Sequence, residues 1–383
     1  MVIIDAHEDL AWNILTFGRD YTLAAAETRL REYGGEAPLR NGDTLLGWPD
    51  YQRGRVALVF STLFVTPAHR RKGWETVYYQ DANQAQAFYR AQADIYLRLA
   101  DEHPDKFRLI GNRTDLEDLL AHWEQRELDL PGGAPSGDDG QEPEMEMFTN
   151  PGHPVGLVML MEGAEAVRDP SELEEWWQLG LRAIGPAWAG TRFCGGTREP
   201  GPLTKEGYAL LEAMSALGFI LDVSHMDEQA LLQALDFYPG RIVCTHANCG
   251  SLLDDPDSNR HLSDRAIQGL LEREAVLGLV PFNSFLYAGW QRGQRRELAP
   301  LSRLADHIDH VCQMAGDAQH AGLGSDFDGG FGLQSVPPEI DTIADLGKLV
   351  PLLGERGYAG ADIAAILGGN WLELLRSALP EAL

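Results

Sequence analysis

Residues 1–10, MVIIDAHEDL, run from an apolar triplet, Val2-Ile3-Ile4, straight into Asp5, His7, Glu8 and Asp9. Val and Ile are β-branched and favour strands. Residues two apart on a strand share a face, so His7 and Asp9 can aim at one spot where this strand ends. An imidazole and a carboxylate converging there suit a divalent metal such as zinc. H-x-D is a short and common pattern, so its weight depends on what the rest of the chain supplies.

Seven further apolar runs follow: Arg55–Val65, Val155–Met161, Leu181–Ala187, Phe219–Ser224, Arg241–Thr245, Ala275–Phe282 and Ala321–Ser325. Their near-continuous apolar character predicts strands buried on both faces. Helical segments are predicted between them. One spans 74–103, and one is opened by a capping box at Thr114-Asp-Leu-Glu117 and runs to about Glu127. Others start at Ser171, after Thr204, after Asp227 and after Ser263, and one spans about 301–315. The last starts near Gly360 and either continues past Gly368-Gly369-Asn370 or breaks there. Eight strands alternating with helices predict an α/β fold of the (β/α)8 TIM-barrel class, as one domain over 1–383. Two loop excursions are expected, a polar Gly-containing stretch at about 19–53 and a Gly/Pro/acid-rich one at about 131–150. A doubly wound open sheet is the alternative. It would be expected to carry a Gly-rich nucleotide turn after an early strand, and none stands there.

Composition narrows the function. The chain has 58 acidic and 31 basic residues, a formal charge of −27. That balance argues against nucleic acid and anionic membranes as partners. No apolar run approaches the ~20 residues of a membrane span. The first strand begins at residue 2 without a basic leader or cleavage site, so no secretory signal is expected. Four cysteines, Cys194, Cys244, Cys249 and Cys312, are too few in 383 residues for a disulfide framework, and a cytoplasmic location fits. Cys244 and Cys249 bracket His246, but with no zinc-knuckle spacing, and read as small buried residues.

The polar residues where the predicted strands run out form a constellation: His7 and Asp9, Glu162, His225, His246 and Asp326. In a barrel the carboxyl ends of the strands share one face, where active sites sit. Three His and three carboxylates exceed what one catalytic zinc needs and suit two metals sharing a carboxylate. The other eight histidines read as surface or structural, with His261, beside Arg260, the one to watch.

At this point the residues resemble a known family. Asp5-Ala-His7-Glu-Asp9-Leu10, Met161-Glu162-Gly163, Asp222-Val-Ser-His225, Thr245-His246-Ala-Asn248, Asn259-Arg260, Gly324-Ser-Asp326-Phe-Asp328-Gly329 and Gly368-Gly369-Asn370 are similar, in that order, to the renal (membrane) dipeptidase family, the M19 metallopeptidases. The resemblance implies a metal-dependent hydrolase barrel of the amidohydrolase type with two Zn2+ ions. It also implies hydrolysis of dipeptides, tolerance of a D-residue at the C-terminal side, and a homodimer. Carried over, His7 and Asp9 hold one zinc, His225 and His246 the other, and Glu162 bridges them. Asp326 is the acid/base, and Arg260 receives the substrate carboxylate through two hydrogen bonds.

Two positions depart from the family pattern. Glu8 stands where the family usually has Asn, adding a negative charge near the metals unless it points away. Trp188 stands where the family carries a substrate-contacting histidine, and an indole can donate one hydrogen bond but cannot ionise. Two alternatives to a dipeptidase therefore stay open: a hydrolase of another small amide, such as an N-acyl amino acid, and a metal-binding barrel that has lost catalysis.

Overall fold

All eight predicted runs form strands, and the sheet they make closes on itself. The computed structural model describes residues 1–129, 152–253 and 258–381. Its strands are β1 (Ile3–Glu8), β2 (Val56–Leu63), β3 (Phe107–Leu109), β4 (Val155–Glu162), β5 (Leu181–Gly185), β6 (Cys194–Gly196), β7 (Glu199–Leu203), β8 (Ile220–Asp222), β9 (Ile242–Val243), β10 (Leu277–Leu279) and β11 (Ala321–Leu323). The parallel sheet has the order β10-β11-β1-β2-β4-β5-β8-β9, with β3 a short extra strand on β4. The seam is made just past β9. Cys244 pairs with Leu277, Cys244 N donates to Val276 O at 3.1 Å, and Gly278 N donates to Cys244 O at 2.8 Å. This contact makes the chain a nearly closed parallel barrel and excludes the open sheet. The residues of the eight barrel strands are buried throughout, as runs apolar on both faces require.

Several local expectations need correction. The helix predicted over 74–103 spans Ala82–Glu102, because the Asp81 side chain caps it by accepting from Gln84 N at 3.0 Å. Residues before it fold back on β2's end, with Tyr79 N donating to Thr66 O and Ala68 N to Tyr79 O. The capping box lies two residues earlier than Thr114. Asn112 accepts from Asp115 N, Asp115 accepts from Asn112 N and Gly111 N, and the helix runs Arg113–Asp129. The segment from Ser171 is a short 3-10 turn followed by a helix, Leu173–Gln178. Thr204, Asp227 and Ser263 cap helices as predicted. The β6–β7 hairpin and β3 were not foreseen.

The stretch 19–53 is not a bare loop. It carries helices Ala25–Glu32, Glu36–Arg40 and Trp48–Gly54, the last ending just before β2. It is pinned by the buried carboxylate of Asp328, which accepts from Arg19 Nη1 at 2.9 Å, Tyr21 OH at 2.8 Å, Leu45 N at 3.0 Å and Thr44 Oγ1. The expected excursion at 131–150 lies outside the described residues. The final helix continues rather than breaking. Gly360–Ala364 passes through a π-helical turn, Ala365–Gly369, into Asn370–Ala378. There Asn370 Nδ2 donates to Ala318 O and Ala321 O, and Trp371 Nε1 to Leu323 O, tying the helix beneath β11.

Candidate metal centre

Five strand ends deliver six side chains to the same mouth. His7 sits in β1 and Asp9 one residue beyond it, at the start of helix Leu10–Phe17. The Asp9 carboxylate makes no capping bond there, although Asp is a favoured cap, and its Oδ2 lies 3.9 Å from His7 Nε2. Glu162 is the last residue of β4, and Gly163 after it turns the chain with φ +81°. Its Oε1 lies 2.9 Å from His225 Nε2, 3.2 Å from His246 Nε2 and 3.8 Å from His7 Nε2. Asp326, past β11, has a left-handed backbone (φ +56°), and its Oδ1 is 3.9 Å from His7 Nε2. Such a conformation is uncommon outside glycine and typical of functional turns. The structure therefore brings together all six residues of the sequence constellation.

The protonation of this cluster is set by what lies behind it. Thr245 Oγ1 donates to Asp222 Oδ2 at 2.6 Å, so at 2.9 Å from His246 Nδ1 it accepts the imidazole proton. His246 is thereby fixed with Nε2 bare. Thr197 Oγ1 stands 2.9 Å from His225 Nδ1, within reach of the imidazole proton when Nδ1 carries it. The two Nε2 atoms are 2.9 Å apart, both facing Glu162. Burial holds His225 and His246 well below the usual imidazole range and lowers His7 to about 3, with Arg260 adding repulsion to all three. Burial pushes the carboxyls of Asp9 (to about 7), Glu162 and Asp326 up, with Asp328 adding repulsion at Asp9, Asp9 and Asp326 adding it at Glu162, and Asp9 adding it at Asp326.

Buried lone pairs facing one another and a carboxylate are unfavourable unless a cation lies between them. His7 Nδ1 and Nε2 and Asp9 Oδ1 are buried and have no hydrogen-bond partner among the described residues. Each such orphan costs about 1–3 kcal/mol. The ligand atoms of His7, Glu162 and His246 lie within 4.8 Å of one another, as do those of His7, Asp9 and Asp326. Neutral imidazoles plus carboxylates are the donor set of a divalent metal, whose charge would reverse these pKa shifts. The residues fit the group.

Arg260 is buried beneath the cluster. Nη1 donates to Ser224 O at 2.9 Å and Nη2 to His246 O at 2.6 Å, and the guanidinium stacks over Phe285 at 5.1 Å. It thus clamps the two His-bearing loops and keeps three of its five N–H donors free of these bonds. Trp188 is half-buried, its ring 6.3 Å from His225 and 5.0 Å from Phe64. With Val65, Pro67, Tyr79, Tyr89 and Gly163 it walls a crevice that reaches Glu162. Glu8 points away from the cluster, accepting from Tyr51 OH. Burial and the neighbouring Asp5 push its carboxyl well above the usual range, opposing the charge that the sequence raised. His261 packs edge-on against Phe285 and lies outside the cluster. All four cysteines are free and buried.

The sequence assigned no role to Thr197, Thr245 or Asp222. Thr245 and Asp222 stand in the motifs quoted above, which was the available signal. Thr197 lies 28 residues from His225, on the unforeseen hairpin.

A profile of the membrane dipeptidase family, peptidase family M19, matches residues 142–381. The chain belongs to peptidase family M19. An uncharacterized protein in the pqqA 5′ region of Klebsiella pneumoniae is 31% identical over 233 residues, covering 58% of this chain and 82% of that one. The dipeptidase tcpJ of Claviceps purpurea is 27% identical over 177 residues, 45% of this chain and 38% of that one, so this M19 chain spans well under half of that relative. Among solved structures, a metallo peptidase of Rhodobacter sphaeroides, liganded with a phosphinate mimic of L-Ala-D-Ala, superposes with TM-score 0.74 at 23% identity over 99% of both chains. At that identity the likeness speaks for the fold. The M19 chain has no helix among its described residues long and apolar enough to cross a membrane.

Proposed function

We propose that this M19 metallopeptidase is a dipeptidase that works with two zinc ions, one on His7 and Asp9, one on His225 and His246, with Glu162 shared between them. The observation that carries the reading is the Glu162 Oε1 atom, faced by three imidazole Nε2 atoms at 2.9, 3.2 and 3.8 Å. Zinc ions bound there would acidify a water and polarise the scissile carbonyl. Asp326, beside His7, takes the proton from the attacking water and delivers it to the leaving amine. The spare donors of Arg260 receive the C-terminal carboxylate, which limits the substrate to short chains. A D-residue next to that carboxylate is the expectation of the family resemblance.

The test is metal content together with a dipeptide panel including L-Ala-D-Ala. Two zinc ions per chain and release of free amino acids are expected. Zinc-loaded protein that releases no amino acid from any dipeptide would sink the reading. One observation favours a second reading. Trp188, whose ring lies 6.3 Å from His225 and packs on Phe64 at 5.0 Å, is an indole that cannot ionise, so it gives the reacting group no proton-transfer partner on this side of Glu162. N-acyl amino acids in the same panel distinguish the two, and Trp188→His should shift preference back towards dipeptides if the indole sets it.

A further inference from the structure

The β6–β7 hairpin reaches into the metal centre. Its two strands pair Gly196 with Glu199, leaving Thr197 and Arg198 as the tip. The hairpin lies antiparallel to the segment after β8, with Gly196 paired to Met226 and Asp227 N donating to Gly195 O at 3.1 Å. That pairing sets Thr197 Oγ1 at 2.9 Å from His225 Nδ1. Arg198 has φ +62°, a left-handed conformation that a β-carbon disfavours, so the tip must be held from outside. Asn259 holds it. Its Oδ1 accepts from Arg198 N at 2.8 Å, and its Nδ2 donates to Gly196 O at 3.0 Å and to Asp227 Oδ1 at 2.9 Å. Thr197 N is tied to Trp188 O at 3.0 Å, a second acceptor beside the His225 ring.

We propose that Thr197 is a positioning residue for His225, and that Asn259 braces the hairpin tip so that it stays in place. The inference rests on the two-metal reading. For His225 to offer Nε2 to a cation, its Nδ1 must carry the proton, and Thr197 Oγ1 is placed to accept it. Without that hydroxyl the His225 ring keeps only the backbone oxygen of Trp188 as an acceptor, and the tautomer that leaves Nε2 bare is held less firmly. His246 has the same arrangement from Thr245, but Thr245 is its sequence neighbour on the barrel. His225 depends on a remote hairpin instead, so the second metal position is coupled to how that hairpin sits over the mouth.

The experiment is zinc titration of the full chain against a competing chelator, with cobalt substitution as a spectroscopic readout. The unmutated chain should bind two equivalents. Thr197→Val, nearly isosteric but without the acceptor, should weaken one of them about 10- to 100-fold and alter the cobalt bands. Thr197→Ser, which keeps the hydroxyl, should restore both. Asn259→Ala should weaken the same equivalent and serves as the second variant if Thr197→Val folds poorly. The inference is overturned if Thr197→Val binds both equivalents as tightly as the unmutated chain, even with a lowered melting temperature, or if Thr197→Ser is as weak as Thr197→Val. An unmutated chain that binds no zinc overturns the metal reading itself, a distinguishable result.

Discussion

His307 shows what a buried titratable group does away from the metal centre. It is almost fully buried on helix Ser302–Ala315, and its Nδ1 accepts from Cys249 N at 3.2 Å. Burial lowers its pKa to about 4, against the opposing pull of Asp306. Between that value and the usual ~6.5 the unfolded chain binds a proton that the folded chain refuses, so stability falls as pH drops through this window. From pH 7.5 to pH 5 this one group removes on the order of 2 kcal/mol. His307→Gln, which keeps an acceptor for Cys249 and cannot titrate, should therefore lose less stability over that interval than the unmutated chain. Urea unfolding of both proteins at the two pH values checks it, and equal losses would count against the argument. Residue identity of this kind is only partly legible in a sequence. His307 reads as one more helical histidine, because its burial comes from long-range packing that no local pattern records. His7, His225 and His246 were legible because each follows an apolar run, where the fold leaves a side chain nowhere to point but the mouth.

Strand ends decide more in this molecule than strand interiors. The apolar runs predicted longer strands than form: Arg241–Thr245 reduces to Ile242–Val243, and Ala275–Phe282 to Leu277–Leu279. Of their remaining residues, all but Arg241 and Phe282 stay buried, and past Val243 the pairing shrinks to the single Cys244–Leu277 bridge, since the backbone must bend to carry His246 into the mouth and to close the seam. Hydrophobicity reports burial, and it does not report where pairing stops. Helix starts were legible where a capping side chain stood clear, as at Thr204, Asp227 and Ser263. The β6–β7 hairpin was not, because Cys194–Leu203 has neither alternation nor an apolar run. At the seam the backbones come so close that side chains are excluded. A β-carbon on Gly278 would lie 1.9 Å from Thr245 O. Gly278→Ala must push β10 from the residues after β9 and disturb the bonds of Cys244 to Val276 and Gly278. The expected cost is at least the 1–3 kcal/mol of an overpacked core. Because Thr245 orients His246, zinc affinity should fall with the melting temperature. A variant that melts early yet binds zinc normally would separate seam from site.

At the scale of the whole molecule, the excursion at 19–53 and the mouth are joined through one buried carboxylate. Asp328 stands two residues after Asp326, and both have left-handed backbones. The Asp328 side chain is fully buried against Arg19, whose side chain is also fully buried. Arg19 in turn holds Asn13 Oδ1 at 3.0 Å, Gly42 O at 2.7 Å and Glu32 Oε1 at 2.9 Å, so one guanidinium ties the helix after β1, the excursion and the loop carrying Asp326 into a unit. A formal charge of −27 makes such a buried cation more telling, since the molecule has few cations to commit. Removing one partner of a buried pair leaves an uncompensated charge and costs about 3–5 kcal/mol. Arg19→Met leaves the Asp328 carboxylate with neutral donors only, whereas Asp328→Asn leaves Arg19 with an amide in place of one carboxylate and Glu32 as its remaining anionic partner, so it should cost less. Each should destabilise the chain and open residues 20–54 to limited proteolysis before the barrel. The double variant removes both charges, so its loss should be smaller than the sum of the single losses by about 1–3 kcal/mol, as expected for residues in direct contact. Additive losses would mean that Arg19 and Asp328 act separately. The excursion would then be held by its buried side chains, such as Tyr21, Leu45 and Tyr51, and not by the charge beside the loop that carries Asp326.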